Sequence, residues 1–258
     1  MRKYNFEHWG GKLPKISCQC ITFGRPVMLN EAVECFHKQD YPGEKELIIL
    51  NDHPDVIHLY DHPEVKVVNR DYRYDTVGEK RNECVKLCTG DLILPWDDDD
   101  ISLPWRMSII VQEMRNHHYF KPKSYWTWAK GNLRSKPTYN TAHAMGGFSR
   151  EIFDKVGGYK EMQSGQDTSF EEKMMKTKLR DLRDIPAEDL YYIYRFAGTG
   201  SYHLSAFGVG NGYRQAMKHV AKQKVKGEYP ITPKWRQDYV AMTAASCEKW
   251  KEIKGKDT

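Results

Sequence analysis

The feature that most constrains this chain is an apolar run that ends in acid. Leu92-Ile93-Leu94-Pro95-Trp96 leads directly into Asp97-Asp98-Asp99-Asp100. A run this short suits a buried strand and is far too short for a membrane helix. Four adjacent carboxylates repel one another, a cost that a bound cation offsets. Oxygen donors at a strand tip suit a hard divalent ion, Mn²⁺ or Mg²⁺, that also takes oxygens from a substrate diphosphate. On a strand-like backbone alternate side chains share a face, so Asp97 and Asp99 are expected to meet the ion together. A solvated acidic turn before a helix at Leu103-Pro104 accounts for the same residues, but the buried character of the preceding run favours the cation.

Upstream, strands and helices alternate. Ile16 to Thr22 reads as a strand, Phe23-Gly24-Arg25 as a turn, and Pro26 as the start of a helix running to about Gln39. Leu29, Val33 and Phe36 share one face of that helix, and Tyr41-Pro42-Gly43 breaks the chain after it. Glu46 to Leu50 is a second strand, ending at Asn51-Asp52, and Val65 to Val68 a third. Asp75 or Thr76 caps a helix from about Val77 to Cys88, stopped by Gly90. This order predicts an α/β domain with a mostly parallel central sheet flanked by helices. Ligands of such sheets bind beyond the carboxyl ends of the strands, where Thr22 to Arg25, Asn51-Asp52 and Asp97 to Asp100 all fall.

The second half is less regular. Leu103-Pro104 opens a helix to about His118, and the aromatic stretch Tyr119 to Tyr139 reads as strands and loops. Ser149 caps a short helix ending at Gly157-Gly158, Asp167 or Thr168 opens another to about Lys178, and Asp189 to Arg195 forms a strand. Beyond Asn211 the pattern is helical and then polar, which divides the chain into a main domain, 1–210, and a short helical C-terminal extension, 211–258.

With 258 residues, 40% of them hydrophobic, the chain can bury a sizeable core and is not disordered. Its six cysteines lack zinc-site spacing and read as reduced core thiols. A net charge of +5 attracts phosphates without indicating nucleic acid by itself. Met1 to Lys15 resembles neither a signal peptide nor a membrane span, so a cytoplasmic protein is expected.

Several pieces fall in a telling order: Cys20-Ile21-Thr22-Phe23-Gly24-Arg25-Pro26, Gln39-Asp40-Tyr41-Pro42, Glu46 to Asp52, Gly78-Glu79-Lys80-Arg81-Asn82, and Gly90-Asp91 leading to Trp96 to Asp100. Gly146 to Arg150, Val156-Gly157-Gly158-Tyr159 and Gly165-Gln166-Asp167 follow. Together they resemble glycosyltransferase family 2, over about Ile16 to His203. The resemblance implies the GT-A fold, a Rossmann-like sheet, and a transferase that moves a sugar from a nucleotide-sugar donor, a UDP-sugar by expectation. It places Thr22 and Arg25 at the nucleotide and Asp52 at the base or ribose, with Asn51-Asp52 standing where the family has an acidic pair. Lys80, Arg81 and Asn82 match the segment beside base and phosphates, and Asp98 lies within the donor site. Asp97 and Asp99 match the outer positions of the Asp-X-Asp metal motif, Asp167 the general base, and His203 a C-terminal histidine that some GT-A enzymes bring to the metal.

The residues themselves leave alternatives open. Lys80 and Arg81 also suit an ordinary charged first turn, Asp167 a cap for a helix at Thr168, and His203 a structural histidine. Tyr125, Trp126 and Trp128 suit either an acceptor-stacking surface or the core. The acceptor is expected to be a glycan or small molecule, with inversion of the anomeric centre. A hydroxylated base in DNA is the alternative acceptor, with Trp126, Trp128 and Tyr139 as stacking residues. A non-catalytic nucleotide-sugar-binding module and a nucleotidyltransferase on a related fold are further readings.

Overall fold

The computed structural model describes residues 2–129, 131–139, 142–179, 181–196 and 225–256. β1 (Ile16–Thr22), α1 (Pro26–His37), β2 (Lys45–Asn51), β3 (Val56–Leu59), β4 (Val65–Asn69), α2 (Val77–Leu87) and β5 (Leu92–Pro95) form the first half. β6 (Ile101–Ser102), α3 (Arg106–Glu113), β7 (Tyr119–Pro122), β8 (Ser124–Ala129), β9 (Asn132–Leu133), β10 (Thr138–Tyr139), β11 (Gly147–Ser149) and α4 (Arg150–Lys155) follow. α5 (Gln166–Lys176), β12 (Leu182–Arg183), β13 (Tyr192–Phe196), β14 (Gly227–Pro230) and a last helix, α6 (Tyr239–Lys256), complete the described strands and α-helices.

The main sheet has the order β12-β7-β11-β5-β1-β2-β4. β1 pairs in parallel with β2 and β5, and β2 with β4, while the short β11 runs antiparallel to both its neighbours. Alternation along β2 divides the core between two faces. Leu47 and Ile49 pack on the side of Leu29, Val33 and Phe36 of α1, whereas Ile48 and Leu50 join Cys84 and Val85 of α2. Thr22 stands level with Asn51 across the β1–β2 pair, and Gln19 with Pro95 across β1–β5. The three polar strand ends are thereby set side by side. A second sheet, β10-β8-β13-β6, pairs β13 with the residues that directly follow the aspartates: Tyr192 opposite Ser102 and Ile193 opposite Ile101.

The mostly parallel α/β arrangement matches expectation, and all six cysteines are free and buried. Differences lie at the boundaries. The helix expected from Leu103 to His118 shrinks to α3, because Ile101 and Ser102 pair with β13 and Leu103 N donates to Tyr191 O at 2.8 Å. α5 starts at Gln166 after a left-handed Gly165 (φ 76°), so neither Asp167 nor Thr168 caps it. The segment expected to be a helical extension also contributes a strand, since β14 pairs in parallel with β3. The boundary placed at residue 210 lies outside the described residues.

Candidate active site

The floor of the site is built by the first turn of α2. Thr76 Oγ1 accepts from Glu79 N at 3.1 Å and caps the helix, so the next residues turn toward the strand ends. Buried Lys80 donates to Thr22 O at 2.6 Å and pairs with Asp52 Oδ1, whose other oxygen accepts from Tyr74 N at 3.2 Å. Burial pushes the Lys80 pKa down, opposed by Asp52. One buried cation thus ties the ends of β1 and β2 together. Asn51 turns inward, donating to Val56 O at 2.7 Å and Asn69 Oδ1 at 3.1 Å. Asn82 is engaged at both ends of its amide by the backbone of Tyr159, at 2.9 Å each.

The four aspartates occupy four different environments. The strand-like backbone expected for them is a turn over residues 98–100. Asp97 is half-buried, and Arg81 Nη2 reaches its Oδ1 at 3.3 Å. Arg25 forks its guanidinium across the next two, donating to Asp98 Oδ1 at 2.8 Å and Asp99 Oδ2 at 2.7 Å. Burial pushes the Asp98 carboxyl up to about 6, against the Arg25 charge. Asp100 accepts from Tyr192 OH at 2.5 Å and from Arg195 N at 2.7 Å. Oxygens of Asp97, Asp99 and Asp100 lie within 4.8 Å of one another. Asp97 and Asp99 thus come together as expected, while Asp100 joins them because the turn replaces strand alternation. A signal for Asp100 was present in the sequence, the fourth acid of the run, but alternation assigned it to the other face.

Arg81 links this cluster to α5. Burial opposes its charge, but Asp97, Tyr159 and Asp167 hold its pKa above the ordinary value, so Asp97 and Asp167 lie within electrostatic reach of one guanidinium. Arg81 also sits 5.7 Å from the centroid of the Tyr159 ring. Tyr159 OH is 2.7 Å from His143 Nε2, and His143 Nδ1 is 3.1 Å from Glu171, one turn along α5 from Asp167. Asp167 Oδ1 accepts from Thr168 N at 2.8 Å. His143 and Glu171 had no signal in the sequence, and Tyr159 only one as part of Val156-Gly157-Gly158-Tyr159, because a buried network across distant segments leaves no local pattern. His203 lies outside the described residues.

Trp126 and Tyr125 are buried in the core, and Trp128 packs against Tyr239 with ring centroids 6.1 Å apart, whereas Tyr139 is 71% exposed. A second grouping, His37, His62 and Glu64, also brings ligand atoms within 4.8 Å, but Lys45 already grips both oxygens of Glu64 at 2.9 and 3.1 Å.

Comparison with known proteins identifies the family and the fold. The model of glycosyl transferase family 2 matches residues 20–167, more than half of the chain. A curated relative, the putative colanic acid biosynthesis glycosyl transferase WcaA of Escherichia coli (strain K12), is 24% identical over 152 residues, covering 55% of this chain. The match spans about half of that relative, 53% of its length. S. aureus TarS 1-349, solved in complex with UDP-GlcNAc, superposes with a TM-score of 0.58 at 15% identity, covering 92% of this chain and 71% of that one. The mannosyltransferase PcManGT from Pyrobaculum calidifontis, solved with GDP-Man and Mn²⁺, gives 0.52 at 15%, covering 93% and 70%. At such identities these likenesses speak for the fold. The chain belongs to glycosyl transferase family 2, and its likeness to these structures shows the GT-A fold.

Proposed function

We propose that this glycosyltransferase moves a sugar from a UDP-sugar to a hydroxyl of a glycan or small molecule, with a divalent cation and with inversion. The observation that carries the reading is the convergence of Asp97, Asp99 and Asp100 oxygens within 4.8 Å at the carboxyl end of β5. The donor set is all carboxylate oxygen, the chemistry of Mn²⁺ or Mg²⁺ and not of a soft metal. The structures of TarS with UDP-GlcNAc and of PcManGT with GDP-Man and Mn²⁺ support a nucleotide-sugar donor and a cation.

In this reading Asp97 and Asp99 hold the cation, with Asp100 beside them. When bound, the ion supplies positive charge to the leaving diphosphate. Arg81 and Arg25, whose charges now rest on Asp97, Asp98 and Asp99, turn toward the phosphates as the donor enters. Lys80 stays with Asp52 and orients that carboxylate toward the ribose or base. Thr22 shapes the nucleotide floor through its main chain, and Asn82 holds the Tyr159 loop in place. Asp167 takes the proton from the acceptor hydroxyl as it attacks the anomeric carbon, and attack opposite the leaving group inverts that centre. His203, which the family resemblance assigns to the metal, would be a further ligand of the cation.

Residues 1–210 are proposed as the catalytic domain and 211–258 as its extension. No described helix is long and apolar enough to cross a membrane. Six free, buried cysteines suit a reducing compartment, and the cytoplasm is proposed on that ground. The reading with a DNA base as acceptor retains only Tyr139 as an exposed aromatic among its three stacking residues.

A thermal-shift screen of nucleotide sugars with and without Mn²⁺ tests the proposal, since a ligand stabilises the fold according to its saturation. A UDP-sugar that raises Tm only with Mn²⁺, and is turned over with release of UDP, is the expected result. A preference for GDP-sugars would overturn the choice of donor, and metal-independent turnover would remove the cation.

A further inference from the structure

The residues that hold Asp99 and Asp100 come from β13, and their own support comes from the far end of the chain. Arg195 donates through its main-chain N to Asp100 Oδ1 at 2.7 Å and through Nε to the main-chain oxygen of Asp99. Tyr192 OH takes the other Asp100 oxygen at 2.5 Å. Arg195 Nη1 then donates to Glu31 Oε2 at 2.5 Å. Glu31 is fully buried in the middle of α1, an unusual place for a carboxylate without a specific task. Its Oε2 also accepts from Arg236 Nε at 2.9 Å, and its Oε1 from Arg236 N at 3.1 Å and Tyr239 OH at 2.6 Å.

This arrangement has an electrostatic consequence. Arg195 is a cation packed against a cluster that needs its negative charge to hold a metal. A guanidinium left to itself would swing onto the nearest carboxylates and neutralise them. Glu31 gives that charge another partner, so that Nε is directed to a main-chain carbonyl. Partners of this kind fix ligand orientation and tune affinity in metal sites generally.

We infer that Arg195 is a positioning residue for the cation site, and that Glu31, gripped by Arg236 and Tyr239 of the C-terminal segment, holds Arg195 in its working posture. The inference rests on the reading of Asp97, Asp99 and Asp100 as that site. It gives the segment after β14 a function: completing, through exposed Arg236 and buried Tyr239, the ion-pair hub behind the metal aspartates.

The test is a titration of the full chain with Mn²⁺ alone, following loss of the free-ion EPR signal, with circular dichroism to establish that each variant is folded. Glu31→Gln and Arg195→Gln are each expected to weaken Mn²⁺ binding by about tenfold, within the range set by loss of such supporting contacts. Glu31→Asp, which keeps the charge, is expected to return to within about threefold of the wild type. A purely structural role would lower Tm and leave the affinity of the folded protein unchanged. Should Glu31→Gln fail to fold, Arg195→Gln carries the test, because Glu31 then keeps Arg236 and Tyr239. Wild-type binding with unchanged affinity in folded Arg195→Gln overturns this inference alone. A wild type that binds no Mn²⁺ overturns the site reading and the inference together.

Discussion

Gly78 and Lys160 approach so closely that a Cβ on Gly78 would lie 1.9 Å from the Lys160 carbonyl oxygen. The obstacle is backbone on both sides, and Gly78 N donates to Met162 O at 3.2 Å in the same contact. Glycine is therefore required in the first turn of α2, beside Lys80 and Arg81, by proximity and not by conformation. Gly78→Ala is expected to destabilise by about 1–3 kcal/mol, the usual cost of overpacking. Because the clash pushes α2 away from the 160–162 segment, the KM for the donor should rise as well. A variant with wild-type Tm and donor KM would contradict this account of the contact.

Much of the frame was legible in the sequence because it rests on local pattern. β1, β2, β4 and β5 are short apolar runs, Pro26 opens α1, and Thr76 and Ser149 cap α2 and α4 through their side chains. That Asp97 and Asp99 come together was legible because a run of acids after a buried strand has few uses. What escaped was set by partners distant in sequence. β3 is four residues long and finds its mate, β14, only after residue 226. Asp100 joins the cluster because Tyr192 and Arg195 hold it there. Glu31 carries no local signal in the sequence, and only folding shows its links to Arg195, Arg236 and Tyr239.

Asp99→Asn tests the cation site. The change removes one charge from the cluster while keeping the shape and an oxygen that can accept from Arg25. We expect kcat/KM to fall by about 10²- to 10³-fold, as for loss of one strong electrostatic contact to a developing charge. The metal-free Tm should move by no more than about 3 °C, corresponding to about 1 kcal/mol in a chain of this size. Steady-state kinetics across a Mn²⁺ series, with melting curves in EDTA, checks both halves. Full activity at ordinary Mn²⁺ would exclude Asp99 from the site.

Asp167→Asn separates donor binding from proton transfer. The amide oxygen preserves the bond from Thr168 N, so the start of α5 should be undisturbed. Transfer to the acceptor is expected to drop by about 10²- to 10⁴-fold, the range for loss of a general base. Donor affinity, measured by calorimetry with Mn²⁺ present, should stay within about threefold of the wild type, a difference below about 0.7 kcal/mol. An equal loss in both quantities would mark Asp167 as a donor ligand.

Lys80→Met probes the buried pair with Asp52. Both residues are more than nine-tenths buried, and removal of the ammonium leaves a carboxylate without its counter-charge. The expected cost is about 3–5 kcal/mol. Adding Asp52→Asn should recover part of the loss, because the stranded charge disappears with it. Urea denaturation of the single and double variants gives the comparison, and a double variant less stable than Lys80→Met would refute the explanation.

The acid limb of stability should carry the signature of Glu31. Burial alone would raise its pKa, but the hydrogen bond from Arg236, the charge of Arg195 and the hydroxyl of Tyr239 bring it down to about 2 from an ordinary 4.5. A carboxyl with a depressed folded pKa binds its proton more readily in the unfolded chain. Its stabilisation is therefore complete above pH 4.5 and is lost progressively as the pH falls toward 2. Glu31→Gln has no such proton to bind, so the gap in unfolding free energy between wild type and variant should be widest near neutrality and narrow below pH 4.5. Denaturant melts of both proteins at pH 7, 4 and 3, conditions chosen to span that window, measure the gap directly. A constant difference across the series would mean that the Glu31 charge contributes nothing and that the two guanidiniums are held by shape alone.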